Sequence, residues 1–273
     1  MRAGIGILAA MTLRPLRFAA LASLLLLSQG CVPRQAQQTA SAPPPVPPPV
    51  TLPPAPVAAS PDLATRLASL ASVADPQVIR LALEARQCAA ANGDAPVGQR
   101  LAVIDYSRPS TEQRLWIFDL AEERLLYSEF VAHGRNTGEN LARRFSNVEG
   151  SLQSSIGLFR TAETYDGGNG YSLRMDGLEP GVNDLARQRA IVMHGAWYVD
   201  PLKALAQGRL GRSLGCPALR PQVAREVIDA LKQGQMLFAY YPDERWLSGS
   251  RYLGCRQDER ISRGGGALHA AAH

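Results

Sequence analysis

With 46% hydrophobic and 19% charged residues, the 273-residue chain has the make-up of a globular protein, which excludes disordered, collagenous and multi-span membrane classes. Its 29 Lys and Arg exceed its 24 Asp and Glu by five, but Arg2, Arg14 and Arg17 belong to a leader-like segment without acids, and setting them aside leaves an excess of two. No Lys/Arg block of nucleic-acid-binding type remains, so nucleic acid is excluded as a partner.

In the leader, Arg14 and Arg17 precede an apolar run over residues 18–27 that is too short to span a bilayer as a mature helix. Residues 1–30 therefore read as an export signal, which places the mature protein outside the cytoplasm. Ser28-Gln29-Gly30-Cys31 resembles a bacterial lipobox, with Ser in place of Leu three positions before the cysteine. Cys31 is expected to carry a lipid anchor in the periplasmic envelope. The alternative is ordinary cleavage near Ala40-Ser41-Ala42.

Residues 31–61 form a linker, and 11 of the chain's 20 prolines fall within 33–61. Such a stretch favours extended polyproline II and can hold a globular head up to roughly 90 Å from its anchor. From Asp62 the texture changes. Apolar residues recur at helical spacing, and Asp75-Pro76 offers an N-cap with an N1 proline for a second helix ending near Asn92-Gly93. Residues 62–97 are thus expected to be a helical segment packed on the core.

Strands are expected at 101–106, 115–118, 124–131, 156–164, 171–175, 190–194 and 235–241. The polar turns between the first three suit an antiparallel sheet, and a helix is expected from about Pro221 to Lys232. The main domain is set at 98–258. The tail, 259–273, is rich in glycine and alanine and is expected to be disordered.

The residues with chemical potential cluster late in the chain. Ile191-Val-Met-His194-Gly195 reads as a buried strand ending in an imidazole, a natural place for a general base, with Gly195 letting a substrate backbone approach. Twenty-two positions on, Arg212-Ser213-Leu-Gly215-Cys216-Pro217 leads toward the helix at Pro221. A cysteine near a helix N-terminus is expected to favour its thiolate. The N–H groups of Gly215 and Cys216 could receive an oxyanion, and Gly215 would leave room for an acyl group.

If Cys31 is lipidated, Cys88 and Cys255 can pair, leaving Cys216 as the free thiol; the alternatives for Cys216 are a buried structural thiol or half of a disulfide. His133-Gly134 also ends a strand-like run, and His133 is expected to line the site or belong to a turn rather than act as primary base. His133, His194 and Cys216 could supply zinc-ligand types, but no close-spaced ligand pair supports a metal site. Asp105, Asp176 and Asp184 are open to turn or cleft roles.

The pairing of His194-Gly195 with Ser213-Leu-Gly-Cys216 resembles the active-site signature of the murein L,D-transpeptidase catalytic domain, the YkuD type, in its Ser-x-Gly-Cys-Pro branch. The resemblance extends through His133-Gly-Arg-Asn-Thr-Gly-Glu-Asn140, residues 150–159 and 171–184, and Gly208-Arg-Leu-Gly-Arg212, covering roughly 98–254. It implies an α+β, mainly β domain, β-sandwich-like, with a short helical segment before it.

The resemblance also implies a peptidoglycan enzyme needing no cofactor, in which Cys216 attacks a tetrapeptide stem and forms a thioester. An amine then resolves the thioester, and His194 serves as base and acid. Where the commoner family motif has His and Arg, this chain has Leu214 and Ala218, so substrate anchoring passes to other groups. Arg212 is the candidate for holding a stem carboxylate, and Ser213 either polarises the imidazole or caps a turn. Two alternatives stay open: hydrolysis of the same thioester, as an L,D-carboxypeptidase or amide hydrolase, and a non-catalytic murein-binding lipoprotein.

Overall fold

Two aspartates start the helices that open the described chain. Asp62 accepts the Thr65 N–H at 2.8 Å ahead of α1 (Leu63–Leu70), and Asp75 accepts the Gln77 N–H at 2.8 Å ahead of α2 (Pro76–Ala91), where Pro76 occupies the first turn. The computed structural model describes residues 61–94 and 98–255, all within the compact unit Val57–His273. The expected leader, Cys31, nearly all of the proline-rich linker and the tail from 259 lie outside the described residues.

Eight strands follow: β1 (Arg100–Asp105), β2 (Leu115–Asp119), β3 (Arg124–Glu129), β4 (Gly157–Gly167), β5 (Gly170–Gly177), β6 (Val192–Gly195), β7 (Ala218–Leu219) and β8 (Met236–Tyr240). Three further helices are α3 (Pro201–Gln207), α4 (Pro221–Leu231) and α5 (Glu244–Gly249). The protein is α+β and mainly β, as its sequence implies. The strands form one sheet in the order β3-β2-β1-β8-β4-β5-β6-β7.

The first three strands pair antiparallel, as their turns imply, but the sheet as a whole is mixed, because β1 runs parallel to β8 and β6 parallel to β7. Parallel neighbours need a crossover connection, usually helical. Helix α3 lies in the connection from β6 to β7, and α4 leads into β8.

Both faces of the central strands are buried, and period-2 alternation divides their side chains between two cores. Leu101 and Val103 of β1, with Trp116, Phe118 and Phe238, pack in one cluster with the apolar faces of α1 and α2 and with Trp246 of α5. Ala102 and Ile104, with Leu115, Ile117 and Leu237, pack in the other with Val227, Ile228 and Leu231 of α4. Residues of β5 and β6, Leu173, Met175 and Met193, join this second cluster, so the sheet curls around α4.

The chain just beyond β3 then reaches the far edge. The Ala132 N–H donates to Ala218 O at 2.9 Å, and the Ser213 N–H donates to His133 O at 3.0 Å. The sheet is thereby nearly closed on itself. A disulfide joins Cys88 on α2 to Cys255 just beyond α5, with Cα atoms 6.0 Å apart. No helix of the described residues is long and apolar enough to cross a membrane.

Candidate active site

The closing seam of the sheet carries the chemistry. His194 on β6 pairs with Ala218 on β7, and Cys216 stands two residues before that partner. His194 and Cys216 both line a cleft of about 430 Å³, together with Arg189, Tyr198 and Arg212. Cys216 is the free cysteine of the described residues and is buried, with 8% of its surface exposed.

Two backbone groups fix the state of the sulfur. The Val192 N–H donates to Sγ at 3.4 Å, and the thiol donates to Ala190 O at 3.6 Å. Ala190 holds a left-handed backbone (φ 52°), uncommon for a residue with a Cβ. Burial pushes the thiol above its ordinary pKa, while the Val192 N–H and the Arg189 charge pull it down. At rest Cys216 is therefore a neutral thiol.

This corrects the expectation of a thiolate favoured by a helix N-terminus. Strand β7 intervenes between the cysteine and Pro221, so Cys216 is not in the first turn of α4.

His194 is also buried, and its Nδ1 lies 2.9 Å from Gly195 O. A carbonyl only accepts, so Nδ1 carries the proton and Nε2 keeps the lone pair. Burial lowers the pKa of the imidazole below its ordinary value. The pair is a neutral thiol and a neutral base.

Several residues singled out in the sequence hold the site without facing it. A side chain on Gly195 would meet the Ala224 Cβ at 2.9 Å, so this glycine lets α4 pack closely. Gly215 has φ 131°, and a Cβ there would meet Gln153 O and Ile191 Cδ1, each at 2.9 Å. Protein fills the space expected for an acyl group. The Gly215 N–H donates to Ser213 Oγ at 3.1 Å and is already used, and Ser213 Oγ donates to Cys216 O at 2.6 Å. Ser213 caps the cysteine turn and does not contact the imidazole.

Of the two readings of His133, site lining or a turn, its contacts fit the turn. The residue is 1% exposed and is not among the side chains lining the cleft. Arg114 Nη2 donates to its Nδ1 at 2.8 Å, and its Nε2 reaches Gly138 O at 3.3 Å. Burial and the Arg114 charge push its pKa down to about 3.

Arg212 does line the cleft, but Glu139 Oε1 lies 2.6 Å from its Nη1, so a substrate carboxylate would have to displace an existing ion pair. The aspartates left open lie elsewhere. Asp105 closes a turn onto Ser107, Asp176 pairs with Arg187, and Asp184 accepts the Gly181 N–H. No group of three His, Cys, Asp or Glu among the described residues is placed to hold a metal ion.

A family model described as the YkuD_2 L,D-transpeptidase catalytic domain matches residues 70–240, more than half of the chain. The chain belongs to this L,D-transpeptidase family. Similar solved structures include an L,D-transpeptidase from Mycobacterium smegmatis at 13% identity and TM-score 0.33, spanning 52% of this chain and 59% of that one. L,D-transpeptidase 3 from Mycobacterium tuberculosis gives 13% identity and TM-score 0.30, over 52% of this chain and 61% of that one. A fused Zn-dependent amidase/peptidase/peptidoglycan-binding protein from Clostridium acetobutylicum gives 18% and 0.32, over 61% and 62%. The chain thus spans less than two thirds of these structures' length. A search of curated proteins gave no match.

In and around the cleft of this L,D-transpeptidase-family protein are residues that sequence reasoning passes over. Ser154 accepts the Gly134 N–H at 3.0 Å and donates to Gly215 O at 2.8 Å, tying the cysteine turn to the segment that closes the sheet. Tyr198 lines the cleft, with burial pushing its phenol up to about 12. Arg189 brings a cation to it from the turn before β6. None belongs to a recognisable spacing pattern. Their roles come from three loops meeting in space.

Proposed function

We propose that this L,D-transpeptidase-family protein is a cysteine-dependent acyltransferase that cross-links peptidoglycan stem peptides in the cell envelope. The observation that carries the reading is the free Cys216 thiol sharing a cleft with neutral His194, whose Nε2 lone pair is unprotonated. Nucleophile and base of this type support acyl transfer without a cofactor.

In the first step Cys216 Sγ bonds to the carbonyl carbon of the stem diamino acid while His194 Nε2 takes the thiol proton. The Cys216 N–H faces the developing oxyanion, since the Gly215 N–H is engaged. The carbon–nitrogen bond to the terminal D-alanine then breaks, and His194 returns the proton to the departing amine, leaving a thioester. An amine of a second stem attacks, its proton passes to His194, and the Cys216 sulfur leaves and regains a proton. The residues lining the cleft include two arginines and no acid, which suits stem peptides bearing free carboxylates.

The disulfide suits an oxidising compartment such as the periplasm. Lipidation at Cys31 after removal of residues 1–30 would hold the domain at a membrane through the proline-rich linker.

The test incubates purified protein with tetrapeptide muropeptides and reads products by mass. Dimers joined through two diamino acids are expected. Tripeptides with free D-alanine and no dimers would replace transfer by hydrolysis. Products unchanged in Cys216→Ala would overturn the reading.

A further inference from the structure

Two arginines line the cleft, and they differ in one respect. Arg212 is paired with Glu139, which lies 2.6 Å from it and also pairs with Arg209 at 2.8 Å. Arg189 forms no ion pair among the described residues. Its Nη1 donates to Ser146 O at 2.5 Å and Ser155 Oγ at 2.6 Å, and its Nη2 to Ser151 Oγ at 3.1 Å and Gln153 O at 2.7 Å. Four neutral acceptors therefore hold the guanidinium rigidly and leave its charge uncompensated.

Partly burying such a cation is costly, and neutral acceptors repay the lost hydrogen bonds without cancelling the charge. A neutral donor could tie the same loop together, so the charge needs its own explanation. The geometry ties it to the sulfur twice. Ala190, the next residue, supplies the carbonyl that accepts the Cys216 thiol. Gln153 O, held by Arg189, is the atom that would meet a Cβ on Gly215, next to the cysteine.

We infer that Arg189 is a positioning residue, a fixed cation that stabilises the Cys216 sulfur as it loses its proton and locks the loop against which the cysteine turn packs. The inference rests on Cys216 being the nucleophile. It gives Arg189 the work that the sequence assigned to a helix dipole. The other groups around the sulfur are His194 on β6, Tyr198 after it, Arg212 and Ser213 before the cysteine, and the buried Tyr106 next to β1. None of them is a carboxylate that would cancel the arginine.

The experiment compares wild-type full chain with Arg189→Lys and Arg189→Gln. It measures the iodoacetamide alkylation rate of the Cys216 peptide by mass spectrometry across pH, with thermal melting as a check on folding. Arg189→Gln is expected to alkylate about tenfold more slowly at neutral pH and to reach the wild-type rate at high pH, as expected when only the thiolate fraction changes. Arg189→Lys keeps the charge and should fall between the two.

Identical pH profiles in all three proteins would overturn the inference. So would equal losses in both variants at every pH, since that pattern marks a purely structural loop anchor. Muropeptide cross-linking that persists in Cys216→Ala would instead overturn the nucleophile assignment, and it would do so whatever the alkylation profiles show.

Discussion

At the scale of single residues, burial favours the uncharged form of both groups in the pair, pushing the Cys216 thiol up and the His194 imidazole down. A neutral thiol and a neutral imidazole require the proton to move during the attack, so the base is spent as the bond forms. Cys216→Ala is expected to reduce product formation to background, and His194→Gln to lower kcat/KM by about 10²–10⁴-fold, measured on muropeptides. Because burial lowers the His194 pKa, the acid limb of the kcat/KM–pH profile should fall below the ordinary histidine value of 6.5. A limb at or above that value would indicate a thiolate–imidazolium pair instead.

His133 gives a separate prediction for stability. Its pKa is about 3 folded against 6.5 unfolded, so between these values the unfolded chain binds the extra proton. Its contribution is fully present above pH 6.5 and is lost as the pH falls toward 3. His133→Gln should flatten the melting-temperature–pH curve in that window. Cys216 and His194 were legible because their residue types and spacing announce chemistry. The duties of Gly195, Gly215 and Ser213 were not, because they depend on Ala224, Gln153 and Cys216 O, contacts that exist only once strands and helix have met.

Among the elements, legibility followed local signals. Asp62 and Asp75-Pro76 marked α1 and α2 because capping and proline geometry act within one turn. The central strands were readable from their apolar β-branched and aromatic runs. Strand β7, two residues long, has no pattern to read, and α3 is only seven residues. With that crossover unseen, nothing in the sequence marks β6 and β7 as parallel neighbours, and Cys216 reads as lying near a helix N-terminus.

Helix α5 was likewise passed over, although it anchors one end of the body. Glu179, 2% exposed, accepts the Leu158 N–H at 2.8 Å, Trp246 Nε1 at 2.9 Å and Ser250 Oγ at 2.6 Å, joining β4 to α5. Glu179→Ala leaves buried donors unpaired and should lower unfolding free energy on the order of 3 kcal/mol in a denaturant titration.

For the molecule as a whole, near-closure of the sheet sets Cys216 and His194 on its seam, where β7 is held by β6 on one side and by Ala132 on the other. The disulfide adds a constraint of another kind. Its cysteines are 167 positions apart, and by loop-closure entropy Cys88→Ser should cost about 2–5 kcal/mol of stability, read as a lower melting temperature. The cleft does not include that bond, so muropeptide turnover well below the melting temperature should survive the substitution.

The bond also makes a covalent ring of all eight strands, with the exposed turn at 148–150 on its circumference. A protease cutting there would turn a ring into an open chain without releasing a fragment. The nicked protein should migrate as one species until a reductant separates the halves.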